Sequence, residues 1–493
     1  MQIDLCQAAM PLVAALQQCA DRDDAPFYTP GHKRGRSIAT GLKAAWGDRV
    51  FRADLPELPG LDNLFAPEAA IQAAQELAAQ AFGADRTWFL VNGSTCGVVA
   101  AMLATCAAGD KIILPRNCHQ SAITGLILSG AQPIFVQPEY DPLRDLAHGV
   151  QPETIALALS QHPDAKAVLL LYPTYYGTCS DLVTIAQQVH EHGIPLLVDE
   201  AHGAHFGFHP GLPTAALAAG ADLAVQSTHK TLSALTQAAM LHLQGPRVSP
   251  LRVSGALQLL QSTSPNYLLL ASLDAARQQM ALEGTQRLEQ VLQLAEQARS
   301  QIQQIPDLSL LNPEDAFSSG FYALDLTRLT VSVAGLGIDG FAADEWLRDR
   351  CAVVAELPTW QHLTFILSIG NIAQDVERLV AALRQLPRGS GTPTCSILPS
   401  PDSANSPVLT PPPLSPRQAF FAAVETRAIA QAVNEISAEL ICPYPPGIPV
   451  LMPGERVTAA AIARLRQVQA AGGVISGATD PSLNTLRIVN PEL

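Results

Sequence analysis

Lysine is scarce in this sequence of 493 residues, which holds only Lys33, Lys43, Lys111, Lys166 and Lys230. Charge as a whole is thin: 15% of the residues are charged, against a usual share of about 25%. With 48% hydrophobic residues, that excludes a chain disordered throughout, which would be apolar-poor and charge-rich. A basic excess is also missing. Thirty Lys and Arg face 44 Asp and Glu, for a formal charge of −14, so no nucleic-acid partner is expected. Long apolar runs are absent as well. Val98 to Ala108, the most apolar stretch, is far short of the ~18–20 residues of a membrane span, and no membrane partner is expected. The nine cysteines contain no C-x-x-C pair and are odd in number, which argues against a disulfide framework and for a reduced, cytoplasmic setting. The first residues, MQIDLCQAAMPLVAALQQCADRDD, lack a basic n-region and read as a short amphipathic helix rather than a signal peptide.

What the sequence does have is alternation. The apolar spacing predicts a helix over Pro67 to Ala84, with Gly83 near its end. The runs TWFLV, KIIL, QPIFV, AVLLLY, IPLLVD and DLAVQ read as short apolar strands separated by helical segments. Continuous apolar strands alternating with helices indicate an α/β fold with a mostly parallel sheet covered on both faces. A long helix is expected from Leu268 to Ile305, then FYALDLT and LTFILSIG as strands of a smaller α/β unit. Arg388 to Pro416 is rich in Pro, Ser, Gly and Thr and reads as a linker. PRQAFFAAVETRAIAQAVNEISAEL after it reads as helix. The expected division is a helical arm and mouth segment over 1–60, a large domain over 61–300, a small α/β domain over 301–387, the linker over 388–416 and a C-terminal domain over 417–493.

Three polar clusters follow predicted strands, where open α/β sheets bind ligands. Gly93-Ser94-Thr95 opens a helix and suits a phosphate, although Ser and Thr also serve as plain N-caps. Asp199-Glu200-Ala201-His202-Gly203 follows IPLLV. Ser227-Thr228-His229-Lys230 follows DLAVQ, and a lysine there stands out in a chain this poor in lysine. Together they match one ligand, pyridoxal 5'-phosphate, which needs a phosphate cup, a carboxylate at its pyridine nitrogen and a lysine for its aldehyde. That order resembles the aspartate-aminotransferase-like class over roughly residues 60–390. The competing reading is a metal site from Asp199, His202 and His205 with His119 or His229; it leaves the phosphate loop and the lysine unexplained, and no metal is expected.

Longer segments resemble the bacterial-type ornithine/lysine/arginine decarboxylases: PFYTPGHKRG, ELPGLDNLFAPEAAIQAAQELAAQAFGA, FLVNGSTCG, RNCHQS, YPTYYG, DEAHGAHF, QSTHKTLSALTQ, STSPNYLLLASLD and ICPYPPGIPVLMPGE. The resemblance implies a fold-type I large domain with a mostly parallel seven-stranded sheet, pyridoxal phosphate as cofactor, and α-decarboxylation of a basic amino acid, arginine ahead of lysine and ornithine. It implies that Lys230 binds the cofactor covalently, that Asp199 pairs with the pyridine nitrogen and that His119 stacks on the ring. Ser94, Thr95, Ser227 and His229 would contact the phosphate, with proton delivery as the other role for His229. His202 would lie near the ring. Thr263 and Ser264 would reach the phosphate of a neighbouring subunit, because this class builds its sites at a dimer interface. The match begins already at PFYTPGHKRG, without the long wing domain of the large ring-forming members, and so implies a short-form homodimer or dimer of dimers. PGHKRG reads either as part of the active-site mouth or as a Pro-Gly turn. PYPPGIPVLMPGE reads as an entrance lining or a rigid docking loop. Glu356 reads first as a surface glutamate, with the cationic end of a substrate as its alternative role. DEAHG alone also resembles the acyl-transferases of the class, and a non-catalytic regulatory relative is the remaining alternative.

Overall fold

The computed structural model describes residues 6–316, 318–389, 406–444, 447–470 and 472–490. Its centre is a seven-stranded sheet. The strands are Arg86–Leu90 (β1), Lys111–Pro115 (β2), Gln132–Val136 (β3), Ala167–Leu171 (β4), Leu196–Asp199 (β5), Leu223–Gln226 (β6) and Ala239–Leu243 (β7). The order across the sheet is β1-β7-β6-β5-β4-β2-β3. β2, β3, β4, β5 and β6 run parallel, and β7 is antiparallel to both of its neighbours. β1 therefore points the same way as β6.

The strands are apolar throughout because each face has its own core. Ile112, Leu114, Leu169, Leu197 and Leu223 pack on one side. Their sequence neighbours Ile113, Val168, Leu170, Val198 and Ala224 pack on the other, as a period-2 strand buried on both faces requires. Helix Gly93–Thr105, which follows β1, is buried nearly all round, so it shows little amphipathic pattern. It lies so close to the sheet that a Cβ on Gly97 would fall 2.6 Å from Val225 Cγ1 and 2.7 Å from Leu90 Cδ1.

Helix Tyr267–Ile302 spans 36 residues. Its start packs with the N-terminal helix Pro11–Asp21 and the helix Ala70–Phe82. Its end, through Val291, Ala295, Ala298 and Ile302, enters a separate core. That core is built on an antiparallel sheet of Ser309–Leu310 (β8), Arg328–Ser332 (β9), Leu357–Pro358 (β10) and His362–Ile366 (β11), in the order β8-β9-β11-β10. The strand expected at FYALDLT is thus mostly displaced: only Ala323–Leu324 is extended there, and the sheet strand starts at Arg328. Asp325 accepts from the Thr327 amide and hydroxyl at 3.0 and 2.7 Å, and so makes the turn between them.

Residues 390–405 of the expected linker lie outside the described residues. Beyond them, Val408 bridges Val136 at the β3 edge, and Leu409 N–H donates to Phe135 O at 2.8 Å. The helix expected from Pro416 onward is corrected by the structure. It stops at Phe421 after one capped segment, with Ser415 and Gln418 forming a capping box. Val424–Ala428 (β12) is a strand paired antiparallel with Thr485–Val489 (β15), the latter preceded by Cys442–Tyr444 (β13) and Val474–Ser476 (β14). Pairing with a segment almost sixty residues downstream overrides local helical periodicity.

Candidate active site

The carboxyl ends of β1, β2, β5 and β6 lie along one edge of the sheet, and each delivers a predicted residue. β1 runs into the helix Gly93–Thr105. Its cap residue Asn92 makes no side-chain capping bond, which leaves the first-turn amides to a ligand. Ser94 is in this first turn, and its hydroxyl accepts from Ser227 Oγ at 2.7 Å. Thr95, next to it, is exposed.

β2 leads to His119, the cap of helix Gln120–Ser129. The Ser121 amide donates to His119 Nδ1 at 3.2 Å. A backbone amide can only donate, so Nε2 carries the proton of the neutral ring. Burial lowers the pKa of His119, partly offset by Asp199, so the ring is neutral.

Asp199 is the last residue of β5, in register with Leu171 and Val225. It is buried, accepts from the Ala201 amide at 3.2 Å and makes no ion pair among the described residues. Burial raises its pKa, while His119 and Lys230 pull it down. A buried acid of this kind is short of a cation. Glu200, beside it, points away into the core: it accepts from the Ala216 amide at 2.7 Å and Gln226 Nε2 at 2.8 Å.

Lys230 lies in the one-turn helix Thr228–Thr231 directly after β6. Its Nζ is 3.0 Å from His202 Nε2. Burial is the main cause lowering its pKa, Arg328 adds to that, and Asp199 and Glu356 oppose it. His229 donates from Nδ1 to Ala238 O at 2.9 Å, since a carbonyl only accepts. Burial lowers its pKa too, so Nε2 stands without a proton.

Lys230, Asp199, His119, His202, His229, Ser227 and Ser94 are therefore brought together. Thr263 and Ser264 are not. They form an exposed turn whose Ser262 amide donates to Asn92 Oδ1 at 3.3 Å. Lys33, the only rival lysine, donates to the Tyr28 carbonyl, and its neighbour His32 pairs with Asp54 at 3.0 Å. The side chains of PGHKRG thus tie it to Ala20, Arg22, Tyr28 and Asp54. The metal alternative has no geometry: His202 bonds Lys230 and Arg328, whereas His205 faces Asp325 at 3.2 Å. Among the described residues no group of three ligand-type side chains is placed to hold an ion.

Three features add to the reading of the sequence. Arg328 is fully buried and donates from Nη2 to His202 Nδ1 at 3.1 Å. Tyr175 lays its ring 4.4 Å from that of His202 and donates to Glu356 Oε1 at 2.5 Å. Glu356 is thus exposed, yet turned to the site rather than lost on the surface. Third, the C-terminal segment reaches His119: a Cβ on Gly447 would fall 3.3 Å from His119 Nε2. No local signal in the sequence marks the first.

The fold and the converging lysine, acid and histidine define a fold-type I α/β enzyme. Solved lysine decarboxylases share this fold: that of Pseudomonas aeruginosa superposes with a TM-score of 0.82 at 23% identity, covering 98% of this chain and 81% of its own. That of Francisella novicida gives 0.81 at 22%, covering 99% and 82%. The Orn/Lys/Arg decarboxylase major domain matches residues 10–375, and the C-terminal domain of the same family matches residues 404–476. Proteins named arginine decarboxylase are similar over nearly the full length. The one from Halalkalibacterium halodurans is 39% identical with 98% of each chain covered; the one from Bacillus subtilis is 38% identical with 99% of each covered. The chain belongs to the Orn/Lys/Arg decarboxylase family.

Proposed function

We propose that the protein decarboxylates a basic amino acid, arginine foremost, with pyridoxal phosphate as cofactor. The observation that carries this is the meeting of Lys230, Asp199 and His119 at one sheet edge, beside an uncapped helix terminus. The similarity to arginine decarboxylases over nearly the whole length supports the choice of substrate.

The residues fit the cofactor. Asp199 is a buried carboxylate without a paired cation, as a protonated pyridine nitrogen requires. The Gly93–Thr95 amides with the Ser94 and Ser227 hydroxyls would hold the phosphate, and the neutral ring of His119 would cover one face. When bound, the cofactor supplies an electron sink for the bond to the departing carbon dioxide. Burial lowers the pKa of Lys230 and so favours the amine form that attachment needs; once released, and carrying the proton given up by the incoming substrate's ammonium group, it would be the group that returns a proton to the substrate carbon. His229 is less suited to that, because its Nε2 carries none. Glu356, held by Tyr175, would meet the cationic end of the substrate.

The exposed Ser262–Ser264 turn supports a second copy completing the site, with Thr263 and Ser264 reaching its phosphate cup. No described helix is long and apolar enough to cross a membrane. All described cysteines are free, which supports a cytoplasmic setting.

The test is carbon dioxide release from arginine, lysine and ornithine, with visible absorbance of the purified protein. Release fastest from arginine, abolished together with the visible absorbance in Lys230→Ala, is expected. Normal turnover by Lys230→Ala would overturn the reading.

A further inference from the structure

The contacts of Arg328 leave His202 only one protonation pattern. A guanidinium donates and never accepts, and it stays charged in a protein. Its Nη2 lies 3.1 Å from His202 Nδ1 and 3.2 Å from His202 O, so Nδ1 is an acceptor. A neutral imidazole then has its proton on Nε2. That nitrogen is 3.0 Å from Lys230 Nζ, and a hydrogen bond between them requires the lysine to offer a lone pair.

We propose that Arg328 is a positioning residue: by donating to Nδ1 it fixes the Nε2–H tautomer of His202, which in turn holds the amine of Lys230 uncharged and aims its lone pair. The inference deepens the reading of Lys230 as the cofactor's lysine and rests on it.

The surroundings are built for this. Arg328 begins β9 in the small-domain sheet, yet it reaches across to the large domain. Asp325 Oδ2 lies 3.5 Å from its Nε and 3.2 Å from His205 Nε2. Tyr175 closes the other side of the imidazole. Arg328, His202 and Asp325 are all buried, so water does not compete for these donors and acceptors. The charged and titratable groups facing the pair are Asp199, His119, His229, Arg328 and Glu356. His202 stays neutral among them: burial lowers its pKa far below the usual range, and Lys230 and Arg328 lower it further. Lys230 is shifted in the direction the tautomer demands.

The arrangement also gives Arg328 a role that a plain charge would not have. A cation near Lys230 disfavours its protonation through space, whichever tautomer His202 adopts. The tautomer route acts only through His202, and that distinction is measurable.

The first measurement is nitrogen NMR of the full-length apoprotein with 15N-labelled histidine, the His202 signals being identified by their loss in His202→Phe. The expected pattern is an unprotonated Nδ1 and a protonated Nε2; a protonated Nδ1 in the unaltered protein overturns the proposal without any arginine variant having to fold. The second is the pH dependence of pyridoxal phosphate uptake by apoprotein, followed by visible absorbance. Arg328→Met and His202→Phe should each slow uptake at pH 7 about tenfold, the loss that accompanies one unit in the amine's pKa. The double variant should be no slower than His202→Phe alone. Equal slowing by Arg328→Met with and without His202 would overturn the proposal. If the unaltered protein takes up no pyridoxal phosphate, the reading of Lys230 fails instead, while the NMR pattern still decides the tautomer.

Discussion

The amide of Gln120 donates to the carbonyl of Gly447 at 3.1 Å. Gln120 is the first residue of the helix that His119 caps, so an otherwise unpaired helix-end donor is satisfied from the C-terminal domain. Gly447, within PYPPGIP, thus docks on the histidine loop. Gly447 has φ of +82°, and a Cβ there would press on His119. Gly447→Ala is expected to cost about 1–2 kcal/mol from the left-handed backbone alone. Displacing His119 by that much corresponds to about tenfold weaker cofactor retention. A thermal melt and the rate of loss of visible absorbance check this; unchanged retention would refute the coupling.

Arg116 clamps the same junction. It donates to Pro449 O at 2.7 Å, to Val450 O at 3.3 Å and to Glu455 Oε2 at 3.0 Å. Arg116→Ala removes all three bonds, leaving Glu455 only the Met452 amide, and should weaken docking by about 2 kcal/mol. Faster amide exchange over residues 447–455, with the central sheet unchanged, is the expected result. Glu455→Gln should be milder because both carbonyl contacts remain.

The central sheet was legible because strands with apolar residues on both faces leave uninterrupted runs, and Asp199 and Lys230 stand directly after two of them. Arg328 was not legible, because its partner His202 is 126 residues away. Nothing local marks a buried guanidinium whose task is set by a ring in another domain. Glu356 was legible only as the second of two roles for a similar reason: it is exposed, and Tyr175, 181 residues away, holds it. The C-terminal strand β12 was misread as helix because its alanine-rich pattern favours one, while its pairing partner Thr485–Val489 supplies what the local pattern lacks.

Glu200 gives stability a pH dependence. It is fully buried, and burial raises its pKa from 4.5 to about 8 against the opposing donors Gln226 and Ala216. Between these values the folded chain holds a proton that the unfolded chain has released. Its contribution is therefore complete below pH 4.5 and is lost as pH rises through about 8. The loss is on the order of 5 kcal/mol. The melting temperature should fall from pH 6 to pH 9. In Glu200→Gln the curve should be flatter across that window. It should also start lower, since the two donors address different oxygens of Glu200 and the amide nitrogen of Gln would face one of them. Parallel curves for the two proteins would refute the assignment.

Glu356 tests how the substrate's far end is read. Its carboxylate is fixed by Tyr175, whose ring also packs on His202 beside Lys230. On the proposed reading, a basic amino acid reacting at Lys230 would have this acid near its cationic end. That acid is exposed, so the pairing is worth about 1 kcal/mol rather than the much larger value of a buried pair. Glu356→Gln is expected to raise KM for arginine several-fold, up to about tenfold. The same change should leave kcat within about twofold, as befits binding shared equally by ground and transition states. Cofactor uptake should be unaltered. Steady-state kinetics with arginine separate the outcomes: an equal loss in kcat would put Glu356 in the chemistry, and an unchanged KM would place the cation elsewhere.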